Sequence, residues 1–206
     1  MASQVELVNM ALKHIGVSTG IISLTENTEH AAAANTFWDI ARDTALRNFD
    51  WPFARKRALL ALLSTPGTAY SDRWFFQYQY PTDCVFARYI DNGLPNGGTL
   101  LGDAVEYEIE HGSTGQAILA NEEDAALVYT KRVTEVTRWP SDFGVSFTYL
   151  LASFMAPSFT KGDVFQKQQR LLQLSQVWVG MAQKNAANEV KDMVDDRESD
   201  FERSRN

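Results

Sequence analysis

Residues 23–64 constrain the fold of this 206-residue chain more than any other stretch. Apolar residues recur there at helical spacing until Pro52, whose ring disfavours helical geometry at Trp51 and forces a stop. With Phe37 at the zero of a helical wheel, Ala31, Ala33, Ala34, Phe37, Trp38, Ile40, Ala41 and Ala45 share one broad face, with Thr44 near its centre. Asn35, Asp39, Arg42, Asp43 and Arg47 fall on the opposite face, with Leu46 among them. Thr25, Asn27 and Thr28 are competent caps, and Glu26 and Glu29 suit the positive end of the helix dipole. The pattern predicts one long helix with Phe37, Trp38, Ile40, Ala41 and Ala45 in the core. It also predicts a structural corner at Trp51, Pro52 and Phe53, followed by an apolar segment, 58–63, that reads equally as strand or helix.

Either side of this stretch the period changes. A first helix is predicted over 3–15, capped by Ser3 and ended by Gly16. From Trp74 the spacing moves towards two, with strands over 74–80, 84–90, 105–110, 116–120 and 126–136, read as one antiparallel meander. Trp139 and Pro140 restart the helical pattern, with Phe147, Leu151 and Phe154 on one face and Pro157 limiting the helix. A last long helix begins after Asp163, its expected cap. It carries two apolar stripes, one through Val164, Leu171, Leu174, Trp178 and Met181 and one through Phe165, Leu172, Val179, Ala186 and Val190. Two stripes imply contacts on more than one side.

The architecture expected is therefore α+β: about four helices with a small antiparallel meander inserted and a C-terminal arm. In residue numbers, a main domain covers 1–185, with its helical core in 1–63 and 139–185 and its β region in 70–138; the arm covers 186–206. The arm mixes charges of both signs with few apolar residues, too little to bury on its own.

Chemistry is scarce. The net charge of −7 argues against gripping nucleic acid along a basic face. A single cysteine, Cys84, excludes an internal disulfide, and His14, His30 and His111 lack metal-ligand spacing. Gly97-Gly98-Thr99 lacks the lysine that completes a phosphate loop. Glu106, Glu108 and Glu110 occupy one face of a strand and suit a solvated surface better than a facing acid pair. The aromatic run Trp74, Phe75, Phe76, Tyr78, Tyr80 fits a sheet core or a subunit contact better than a stacking platform, having only Arg73 and Arg88 near it. Residues 1–15 do not read as a secretory signal, and the charge-free run 143–160 reads as a buried helix rather than a membrane span.

One ordered set of residues runs through nearly the whole chain. It comprises Ile15-Gly16, Ile22-Ser23-Leu24-Thr25-Glu26, Ala31, Trp38, Leu46, Trp51-Pro52-Phe53-Ala54 and Arg57-Ala58-Leu59. It continues with Tyr78, Tyr80-Pro81, Asp83-Cys84-Val85, Leu127, Tyr129, Val133, Trp139-Pro140 and Tyr149-Leu150-Leu151-Ala152. This order, spanning about 7–187, resembles the tail tubular protein A family, the head-to-tail adaptors (connectors) of short-tailed bacteriophages. In that family's Tyr-x-Tyr-x-x-Pro-x-Asp-Cys segment two residues precede the proline, whereas here Pro81 follows Tyr80 directly.

The resemblance implies a structural virion protein with no catalytic site, cofactor or metal. Such a protein forms a homo-oligomeric ring, a dodecamer, between the portal protein and a nozzle similar to tail tubular protein B. Duplex DNA would pass through its lumen without tight binding. The expected location is the tail of the virion, after assembly in the host cytoplasm, with no membrane involved. The C-terminal segment would reach the portal, with Val194 and Phe201 in pockets and Arg203 and Arg205 on carboxylates. Two other classes stay open: a virion-associated peptidoglycan hydrolase, an activity credited to a member of the wider adaptor family, and a non-catalytic binding module.

Overall fold

In the computed structural model the described residues are 3–64, 73–98, 102–112, 115–160 and 162–189. Helix α1 (Gln4–Ile15) is followed by α2 (Glu29–Arg47) and a 3-10 turn at Pro52–Ala54. Strands β1 (Arg55–Leu59), β2 (Leu62–Ser64), β3 (Phe76–Gln79), β4 (Cys84–Ile90), β5 (Tyr107–Gly112), β6 (Gly115–Ala120) and β7 (Ala126–Lys131) come next. Helices α3 (Ser141–Phe159) and α4 (Val164–Glu189) close the described chain. The protein is thus α+β, with four helices and two antiparallel sheets among the described residues.

The helix ends follow from local chemistry. Ser3 and Glu6 form a capping box on α1, and Gly16 ends it in the left-handed conformation at φ 94°. Thr28 Oγ1 accepts from Ala31 N at 3.2 Å to start α2, and Asp163 Oδ1 accepts from Gln166 N at 2.9 Å to start α4. Pro157 does not end α3, which runs two residues further and forgoes the one backbone hydrogen bond that an N–H at this position would donate to Ser153 O.

The helical core is built around α3, which is buried on all sides, Phe143, Phe147, Leu151 and Met155 completely. Helices α1, α2 and α4 each pack on α3. Small residues set the closest approaches. Helix α2 turns Ala31, Ala34, Ala41 and Ala45 inwards around Trp38, and α4 turns Ser175, Ala182 and Ala186 inwards, with Ser175 Oγ donating to Ser146 O at 3.1 Å.

This corrects the sequence wheel for α2. Ile40, expected in the core, points outwards at 59 % exposure, and Phe37 lies on the flank, half-buried, 6.3 Å from Phe154. Leu46 and Arg42, placed on the polar face by the wheel, are buried. The inward face is rotated from the expected one because the alanine side permits the closer backbone approach, and the Arg42 guanidinium remains satisfied by Asp39 and Asp43 at 2.8 and 2.9 Å.

The β region is also corrected. Five strands occur close to the expected places, but they do not form one meander, and within the stretch counted with the helical core, which extends to 63, residues 55–59 and 62–63 are strand. One sheet has the order β1-β7-β4 and the other β2-β3-β6-β5. The chain passes between them at Leu60 and Ala61, tied by Leu60 N to Ala125 O and Gln79 N to Ala61 O. Leu60, Tyr78, Cys84, Ile90, Ile118, Leu127 and Tyr129 form a second core, drawn from both sheets. Strand β4 carries apolar residues on both faces and pairs with β7 through bulges at the edge of its sheet.

Candidate functional site

The corner is an aromatic joint held by two arginines. Trp51 is buried and its Nε1 donates to Ala45 O at 3.0 Å, so the corner residue hydrogen-bonds back to the last turn of α2. Its ring meets Phe49, Phe53 and Phe143 at centroid distances of 5.1, 6.1 and 5.0 Å. Pro52 opens the 3-10 turn, where its fixed φ suits the first position. From the β side, Arg88 donates to Arg47 O and Phe49 O at 3.3 and 2.6 Å, and to Thr130 Oγ1 at 2.9 Å. A guanidinium on those carbonyls complements the negative end of the α2 dipole. Arg47 in turn donates to Val85 O at 3.0 Å, and both guanidiniums lie over the Phe86 ring, at 5.0 and 4.5 Å. Burial pulls the Arg88 pKa below its usual value, opposed by Asp50, whose Oδ1 is 4.0 Å away. Neither arginine stands out in the sequence as a clamp, because its partners are backbone carbonyls.

The residues of the resembling Asp-Cys segment form a second joint. Asp83 accepts from Lys56 Nζ and from Tyr129 OH, both at 2.7 Å, and so ties β1 and β7 to the start of β4. Partial burial works against this carboxylate, but the hydrogen bonds from Lys56 and Tyr129 outweigh it and hold its pKa below the usual range. Cys84 Sγ donates to Tyr80 OH at 3.1 Å, and burial raises the pKa of both. A thiol so disposed is a packed apolar group rather than a nucleophile.

Other candidate chemistry disperses. Among the described residues no group of three His, Cys, Asp or Glu could hold a metal ion. His14 stacks on Tyr149 at 3.9 Å, His30 lies 5.0 Å from Phe159, and His111 meets Gln116 at 2.7 Å. Glu108 accepts from Trp74 Nε1 at 3.1 Å, and Glu110 from Gln77 Nε2 at 3.4 Å. Of the aromatic run, Trp74 and Tyr78 are buried and only Phe75 is largely exposed, so no stacking platform is presented. No helix among the described residues is long and apolar enough to cross a membrane.

What remains is the surface of α4. Residues 171–183 are thirteen consecutive positions without a charge, yet only Leu171, Ser175 and Ala182 of them are buried. Each of the two sequence stripes puts one residue, Leu171 or Ala186, on the buried line, and their other described members flank it. Phe165 and Leu172 are exposed on one side, and Val177 and Met181, at 54 % and 49 %, on the other. At its start, this second side joins Arg170 and Leu174 to a cleft of about 510 Å³ that His14, Tyr149 and Lys167 also line. Val194, Phe201, Arg203 and Arg205 lie outside the described residues, as does nearly all of the expected arm, since α4 continues to Glu189. No family model matches the chain, and no curated protein matches it either.

Proposed function

We propose that the chain is a structural virion subunit, a head-to-tail adaptor that forms a ring between portal and tail nozzle and continues the DNA channel. The observation that carries this reading is α4. A helix that leaves apolar residues exposed on both flanks of an uncharged stretch calls for neighbours on two sides, and a ring gives every subunit two. The ordered resemblance supports the same reading, because its members Trp51, Pro52, Asp83, Cys84 and Tyr129 serve as joints rather than lining a reactive cleft. Portal contact is assigned to Val194, Phe201, Arg203 and Arg205, with the wall of the DNA channel neutral or acidic.

Electron microscopy and mass measurement of the purified chain, alone and mixed with portal, test this. The expected result is a closed ring that docks on the portal, with docking lost when residues 192–206 are removed. A chain that stays monomeric in both conditions overturns the reading, and clearing of cell wall by the purified chain would favour the hydrolase.

A further inference from the structure

We propose that the Arg170 side of α4 packs along the outer face of α2 in a second copy, joining copies head to tail. This deepens the reading of the chain as a self-assembling subunit and rests on it. On α4, Arg170, Leu174, Val177, Met181 and Lys184 are spaced four, three, four and three residues apart, which places them on one seam. Leu174 is half-buried and the other four are exposed. On α2, Glu29, Ala33, Thr36, Ile40 and Asp43 repeat the same spacing on the side opposite Trp38; Glu29, Thr36 and Ile40 are exposed, Ala33 and Asp43 half-buried.

The two seams match in length and in order of character. Each runs fourteen steps along its helix from first residue to last, about 21 Å. Cations stand at both ends of one and anions at both ends of the other, with the uncharged residues between. Ala33 and Thr36 are small, and the Thr36 hydroxyl is spent on Ala32 O at 2.8 Å, which leaves its methyl to face a partner beside Ile40. Opposite them Leu174, Val177 and Met181 supply the bulk, a large-on-small arrangement that helix pairs use to interdigitate. Glu29, Arg170 and Lys184 form no ion pair among the described residues, whereas Asp43 also holds Arg42 and Arg132.

Within one subunit the seams cannot meet, because both helices lie on α3 and turn these faces away from it. In a chain of net charge −7, two copies repel on average, and a basic-ended seam facing an acidic-ended one is where approach is favoured. Because the surfaces differ, the contact is heterologous and each copy can use both at once.

Cysteine cross-linking tests this, since the native Cys84 is buried. Thr36→Cys and Val177→Cys sit at the centres of the seams, so they meet whichever way the helices run. Under mild oxidation, with and without portal, each variant alone should stay uncross-linked. Their mixture should yield a disulfide dimer as the main product, and the double variant a ladder. Dimers from either single variant would show like-with-like packing and overturn the proposal. Multimers by light scattering with no cross-link in the mixture would overturn this contact and leave the adaptor reading standing. A monomer in every condition would remove both.

Discussion

His14 shows how much one side chain depends on its neighbours. Thr148 Oγ1 donates its proton to Val145 O at 2.7 Å, so at 3.2 Å it accepts from His14 Nε2, which fixes the neutral tautomer. Burial lowers the His14 pKa, and the adjoining cleft contributes Lys167, Arg170 and Asp163. Above about pH 6.5, the usual histidine value, neither folded nor unfolded chain protonates this ring. Below it the unfolded chain binds the proton first, so stability should fall as pH drops towards the lower, folded value. Urea midpoints at pH 7 and pH 5 should differ more in the native chain than in His14→Phe, which keeps the stack on Tyr149. Equal differences would show that His14 contributes nothing. Trp38 makes a second prediction at this scale. It lies 6.0 Å from Trp139 in a stacked pair and 4.8 Å from Phe147 edge-on. Trp38→Ala should cost about 3–5 kcal/mol in denaturant unfolding.

At the scale of the element, the C-terminal end of α2 is the most instructive. Its last carbonyls are satisfied by a side chain from the β region rather than by a glycine cap, since Asn48 remains in the right-handed conformation at φ −64°. Arg88→Met would keep the stem over Phe86 but leave the Arg47 and Phe49 carbonyls without that donor. A loss of about 1–3 kcal/mol is expected. Arg88→Lys should recover only part of it, because an ammonium cannot serve three acceptors in the plane of a guanidinium. Full recovery by lysine would show that charge alone suffices. The strand boundaries are legible in the sequence where punctuation is strong: Cys84–Ile90 stands where its apolar run predicts, and Gly115–Ala120 begins one residue ahead of the expected 116. The short strands β1 and β2 were ambiguous because an apolar run of six residues satisfies both periods.

For the whole molecule the governing quantity is charge. With a net charge of −7, and with buried Arg42 and half-buried Arg88 spent on carboxylates and carbonyls, the isolated chain should bind duplex DNA weakly at about 0.15 M salt, with a shallow salt slope. Filter binding or fluorescence anisotropy checks this, and tight, steeply salt-dependent binding would contradict a passive channel wall. Stability at this scale depends on the two cores being joined through Trp51 and Arg88. Substitutions there are expected to lower the unfolding midpoint of both together, as read by Trp fluorescence and circular dichroism.

The amino-acid sequence by itself determined where α1 starts and stops and where α2 and α4 start, because Ser3, Gly16, Thr28 and Asp163 act within a few residues of their own positions. It did not determine the ends of α2 and α3, since α2 stops at Arg47 ahead of Pro52 and α3 runs past Pro157. It also determined that two apolar stripes lie on α4 and that no metal-ligand spacing is present. Only the tertiary structure decided which side of each helix faces inwards. Periodicity marks a face to within a broad arc, and within that arc the closest approach was settled by Ala31, Ala34, Ala41, Ser175 and Ala182, not by the largest side chains. That is why Ile40 points outwards and Leu46 inwards, against the helical wheel. Strand partnering was likewise beyond the sequence, since β1 and β4 reach β7 across some forty to seventy intervening positions, and no local pattern encodes a pairing that only loop closure and a shared core select.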